Sequence, residues 1–169
     1  MIIESFDNKA PRIDPSAFVA RGAALVGELT LGPHSSVWYN ATLRADLAAI
    51  RIGAYSNVQD NACIHVEAGG ACTVGAHVTI GHCATLHACT VEDDVLIGMG
   101  AIVLDGAVIG RGSIVGAHAL VTKNTQVPPF SLVLGSPAKV VRTLPESVAQ
   151  DNHRHAEEYA ELAARYAAR

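Results

Sequence analysis

Residues 91–127 read VEDDVLIGMGAIVLDGAVIGRGSIVGAHALVTKNTQV, with an aliphatic side chain at every sixth position: Val91, Ile97, Val103, Ile109, Val115, Val121 and Val127. An amphipathic helix needs a period of 3.6 and a half-buried strand alternates by two, so a sustained period of six is neither. Working outward, the same step runs back through Val74, Ile80 and Leu86, then Ile52, Val58 and Ile64, then Ile13, Val19, Leu25, Leu31, Val37 and Leu43. The steps 43 to 52 and 64 to 74 read as short loop insertions, and 86 to 91 as a single-residue deletion. Four residues after each leading position stands a mostly small side chain, as at Ala23, Ser35, Ala41, Ser56, Ala62, Ala84, Ala101, Ala107, Ser113 and Ala119. Both registers are expected to point inward. Gly or Asn often stands three after the leading residue (Gly22, Asn40, Asn61, Gly100, Gly106, Gly112, Asn124), where a left-handed backbone costs those residues least. Each hexad is therefore a short strand plus a corner, and a stack of them is a parallel β-helix.

The 169 residues suit one domain with a substantial core. Half the residues are hydrophobic but only 5% are aromatic, which implies a narrow interior of aliphatic and small side chains. A net charge of −4, with 12 scattered Lys and Arg, offers neither nucleic acid nor a membrane surface a basic patch. With no basic leader and no run of about 18 apolar residues, the expectation is a cytoplasmic protein. Cys63, Cys72, Cys83 and Cys89 lack CxxC spacing and are expected as reduced, structural thiols.

The hexad pattern resembles the left-handed parallel β-helix of hexapeptide-repeat proteins, and that resemblance implies three hexads per triangular coil. The nineteen leading positions then make about six coils over residues 13 to about 130, within an all-β solenoid domain of residues 1–142. Residues 134–142 read as a turn-rich exit. Thr143-Leu144-Pro145-Glu146 reads as a capping box that opens a C-terminal α-helix in the 143–169 segment, expected from about 144 to 168. Val148, His155, Tyr159, Leu162 and Tyr166 form its apolar stripe, facing the β-helix or a neighbouring subunit.

His65, His82 and His87 fall within 23 residues of otherwise small and aliphatic sequence, which points to a divalent metal. With the sides lettered so that Leu43 leads side A, Ile52 side B and Val58 side C, His65 and His87 each follow a side A leader, one coil apart. Stacked strands are ~4.8 Å apart and two nitrogens on one zinc roughly 3.3 Å, a gap that a small tilt of two rings closes. His82 stands at the corner after side C, one bend away, and its side chain diverges. A neighbouring subunit must supply it, and heterologous packing that closes as a homotrimer makes three equivalent interfacial sites. Arg44 lies one coil below His65 and Asp60 one coil below His82, so the same packing brings them together as an intersubunit ion pair, with Asp46 and Gln59 beside them. His34, His77, His118, His153 and His155 show no such register and are expected as surface or helix residues.

These residues, with the strings NVQDNACIHV and TIGHCATLHACTVEDDVLIGMGAIVLDGAVIG, resemble the gamma class of carbonic anhydrases. The resemblance implies zinc, or iron(II) or cobalt, held by His65, His82 and His87 across a trimer interface, braced by Arg44 and Asp60, with Gln59 near the metal-bound solvent. It also implies a helix tyrosine, Tyr159, beside the site. The expected activity is the reversible hydration of carbon dioxide to bicarbonate by a metal-bound hydroxide. The family's acidic proton-export loop is reduced here to Leu47-Ala48-Ala49-Ile50-Arg51, leaving Glu67 as the nearby carboxylate and predicting weaker turnover. Two alternatives share the scaffold: a CoA-linked acyltransferase or metal-dependent thioesterase, and a trimeric metal-binding protein without catalysis.

Overall fold

Three faces of parallel strands stack in the register that the hexads dictate. On side A, Ile3, Leu25, Leu43, Ile64, Leu86, Val103 and Val121 lie one above the next. Side B stacks Ile13, Leu31, Ile52, Val74, Val91, Ile109 and Val127. Side C stacks Val19, Val37, Val58, Ile80, Ile97, Val115 and Val133. The computed structural model, which describes residues 1–168, is a left-handed parallel β-helix of about seven turns followed by one helix.

The core is the inside of this triangle. Leu25, Leu43, Val58, Ile64, Ile80, Leu86, Ile97, Val103, Ile109, Val115 and Val121 are fully buried, each contributing about 2 kcal/mol by removal from water. The small register fills the space between them: Ala23, Ala41, Ala84, Ala101 and Ala107 are inaccessible. The buried serines satisfy their hydroxyls on corner carbonyls, Ser35 Oγ on Gly32 O at 2.7 Å and Ser56 Oγ on Gly75 O at 2.7 Å.

The coil runs further than the expected 13 to about 130. Ile3 stacks under Leu25 although ten residues separate it from Ile13, because Phe6 and Lys9 pair in a small turn between them. Val133 continues the six-residue step past Pro128 and Pro129, which hide it in the sequence. The step from 43 to 52 is not a loop: Thr42–Ile52 is one continuous strand that carries side A into side B. The matching bend in Ala24–Leu31 sits at Gly27, where a Cβ would lie 2.1 Å from Ala45 O. The insertion after Ile64 is the expected loop, closed by a Glu67 to Gly70 bridge.

The exit is more ordered than a turn-rich segment, since Ala138–Thr143 pairs antiparallel with Ser131–Gly135. The terminal helix α1 spans Ser147–Ala167. The capping box is absent: Glu146 takes the N-cap position with helical dihedrals and makes no side-chain cap, so Thr143 stays in the preceding strand. Its buried line is Ala149, Asn152, Ala156 and Ala163, with Val148, His155, Tyr159, Leu162 and Tyr166 half-buried along its flanks. Small residues let the helix lie close to the coil, and Trp38 anchors it. The Trp38 ring meets Phe18 at 5.3 Å, Tyr166 at 5.3 Å and Tyr159 at 5.7 Å between centroids. All four cysteines are free, and no helix among the described residues is long and apolar enough to cross a membrane.

Candidate metal centre

His65 and His87 end two adjacent side A strands, Cys63–His65 and Thr85–His87, paired residue for residue. Stacking alone would keep them a strand spacing apart, but the rings tilt by 59° and bring His65 Nδ1 to 3.1 Å from His87 Nε2. Each ring's other nitrogen faces a carboxylate. His65 Nε2 lies 3.0 Å from Asp46 Oδ1, and His87 Nδ1 is hydrogen-bonded to Asp105 Oδ1. A ring N–H donated to each carboxylate leaves the two facing nitrogens with lone pairs aimed into one space, the arrangement of carboxylate-oriented metal imidazoles. The donor set fits zinc or another borderline divalent ion.

The carboxylates are themselves held ionised. Lys123 bonds Asp105 Oδ2 at 2.7 Å and, with the His87 bond, outweighs burial to draw its pKa down to about 2. Burial alone would raise Asp46, but hydrogen bonds from His65 and Arg44 hold it below the usual carboxylate range. Asp105 was not expected from the sequence. It stands two residues after the side A leader Val103, at the corner one coil above His87, a place that the coil register defines but no motif marks.

Arg44 lies one coil below His65 and spends its guanidinium on Asp46 Oδ2 within the chain. His82 does not join the pair. It sits at the corner after side C, its Nδ1 2.9 Å from Asp60 Oδ2, and the three rings are not within one ion's reach in a single chain. Arg44 and Asp60 each have a different partner inside the chain and do not pair with each other in it.

On side C, Gln59 is buried and donates to Asn57 Oδ1 at 3.1 Å, while Asn57 donates to Thr79 Oγ1 at 2.9 Å. Tyr159 of α1 stands beside Gln59. Burial, then the Asp60 charge, pushes its pKa up and keeps the phenol protonated. Gln59, His82, His155 and Tyr159 share a groove of about 420 Å³ with an apolar floor that includes Leu96 and Ile114. Glu67 is exposed on the inserted hairpin, close enough for its charge to act on Lys123. Asp46, Arg44, His65 and His87 thus converge on side A, with Glu67 beyond them, whereas Gln59, Asp60, His82 and Tyr159 gather toward side C. His77 and His153, expected as surface or helix residues, are half-buried and stack at 3.6 Å between centroids.

The family described as Bacterial transferase hexapeptide (six repeats) matches residues 88–123. Over 150 residues the chain is 47% identical to a probable carbonic anhydrase of Methanocaldococcus jannaschii, covering 89% of this chain and 94% of that one. It is 40% identical to the mitochondrial gamma carbonic anhydrase 1 of Arabidopsis thaliana over 99% of its own length, but spans 62% of that protein's. A crystal structure of a Bacillus cereus protein, provisionally named an acetyltransferase, superposes with a TM-score of 0.95 at 38% identity, covering 98% and 96% of the two chains. With that extent of identity over a shared coil, the chain belongs to the gamma carbonic anhydrase family of hexapeptide-repeat, left-handed β-helix proteins.

Proposed function

We propose that the protein is a metal-dependent carbonic anhydrase that hydrates carbon dioxide reversibly at sites shared between the subunits of a homotrimer. The observation that carries this reading is the His65 and His87 pair, 3.1 Å apart and each oriented by a carboxylate. His65 and His87 of one subunit and His82 of the next would hold zinc, with iron(II) or cobalt also suited to imidazole ligands. When bound, the metal acts as a Lewis acid that lets water lose a proton near pH 7. Asp46 and Asp105 fix the tautomers of their imidazoles, and Asp60 does the same for His82 through the 2.9 Å contact. Gln59, held by Asn57, and the protonated Tyr159 line the groove beside His82, where they orient substrate and solvent by hydrogen bonds. Exposed Glu67 is the carboxylate that would pass the released proton to buffer. Purified protein with stoichiometric zinc should hydrate carbon dioxide in a stopped-flow assay, and His82→Ala should abolish turnover; metal-loaded protein with no hydration above buffer sinks the reading.

The groove favours a second reading. Its volume of about 420 Å³ and apolar floor exceed what carbon dioxide needs and suit an acyl chain. Hydrolysis or transfer of a CoA thioester, measured beside hydration, separates the two. A trimeric metal-binding protein without catalysis predicts bound metal and neither activity.

A further inference from the structure

The corner between sides B and C carries a column of rings that the site on side A does not use. His34, Tyr55 and His77 occupy the same left-handed corner position in successive coils, with φ of 56°, 59° and 54°. Their rings stack upward, His34 on Tyr55 at 4.8 Å and Tyr55 on His77 at 5.0 Å with planes within 7°. The next ring in the column comes from α1: His153 lies over His77 at 3.6 Å. One turn along α1, Glu157 Oε1 is 3.7 Å from His153 Nε2, since residues four apart share a helix face. The ligating atoms of His77, His153 and Glu157 all lie within 4.8 Å of one another, the one such set of three among the described residues.

The geometry points to a second divalent-cation site, formed by His77 of the coil with His153 and Glu157 of α1, that takes zinc or a similar borderline ion and pins the helix to the coil. Two imidazoles and a carboxylate are a donor set that zinc accepts, with water completing the coordination. His153 is already oriented for it, because its Nδ1 lies 2.9 Å from Asp94 Oδ1 and its Nε2 faces Glu157. Asp94 is anchored in turn, its carbonyl accepting from Asn152 Nδ2 at 2.9 Å. The near-parallel stack sets the two lone pairs side by side, so binding turns one ring out of the stack. A cation here would position the groove wall, since His155 and Tyr159 follow His153 on the same helix.

Zinc bound per chain, measured after equilibrium dialysis of the full-length protein against buffered zinc, tests this. Wild type should hold one equivalent more than His153→Ala. The same difference should appear between His65→Ala and the His65→Ala/His153→Ala double variant, where the side A centre is removed, so failure here is distinct from failure of the proposed function. Glu157→Gln changes an exposed residue and should keep the fold while weakening this equivalent at least ~10-fold; it decides the matter if His153→Ala loses the helix signal in circular dichroism. Equal zinc in wild type and Glu157→Gln, at concentrations that titrate the second equivalent, would show a stacked pair that binds no metal and overturn the proposal.

Discussion

Asp105 shows how much a single side chain can carry. It accepts a hydrogen bond from His87 and pairs with Lys123, and these contacts draw its pKa from 3.8 to about 2. A carboxyl more acidic folded than unfolded stabilises the fold above its unfolded pKa, and that stabilisation is lost as pH falls through the folded value. The window is therefore about pH 4 down to about 2. Acid unfolding of metal-free protein should steepen there, and Asp105→Asn should flatten that limb while lowering stability at pH 7. The same substitution frees the His87 ring to turn, so zinc affinity at the side A centre should fall about 10- to 100-fold by competition with a chelator. The histidines themselves were legible because the coil register puts residues 65 and 87 on one side. Asp105 was equally inside that register, but a lone aspartate in a corner looks like any solvated turn residue until His87 is seen beneath it.

Strands and corners were legible to different degrees. Every leading aliphatic that the period picked out lies in a strand, because burial in a narrow triangle tolerates little else. Corners announced themselves where Gly or Asn takes the positive φ, yet His34, Tyr55, His77, Cys83, Asp94, His118 and Phe130 adopt the same conformation. There the ladder of backbone hydrogen bonds, such as His77 N to Ala54 O and Asp94 N to Ala76 O, imposes it against residue preference. The helix was predicted, but not its face: apolar size suggested Leu162 and Tyr166, while close approach to the coil selects Ala149, Ala156 and Ala163. Close approach also governs the glycines that follow the leading residues. A Cβ on Gly53 would meet Gly75 O at 2.3 Å and Gly75 C at 2.4 Å, backbone that cannot move without distorting the next coil. Gly53→Ala should cost about 1–3 kcal/mol in thermal or denaturant unfolding. At the hairpin tip, Gly69→Ala meets nothing within 4 Å and bears only its left-handed φ of 78°, about 1 kcal/mol.

At the scale of the whole molecule, the coil is a ruler that separates His65 and His87 from His82 by one corner, and a rigid stack of parallel strands leaves no route to bring them together within one chain. In the proposed homotrimer each subunit would contribute to two sites, His65 and His87 to one and His82 to the next, with rotational closure making the sites equivalent. The sequence carried this separation because each residue's side and coil can be counted; it could not carry how Arg44 and Asp60 behave in an isolated chain, where they turn to Asp46 and His82. Complementation between two defective proteins tests the shared site most directly. His82→Ala protein and His65→Ala/His87→Ala protein should each lack the side A zinc. After joint unfolding and refolding at equal amounts, random assortment should restore about one quarter of the sites, read as zinc retained against a chelator in a background that carries Glu157→Gln. Full zinc retention by His82→Ala alone, or no restoration in mixed oligomers of the two chains, would contradict the account.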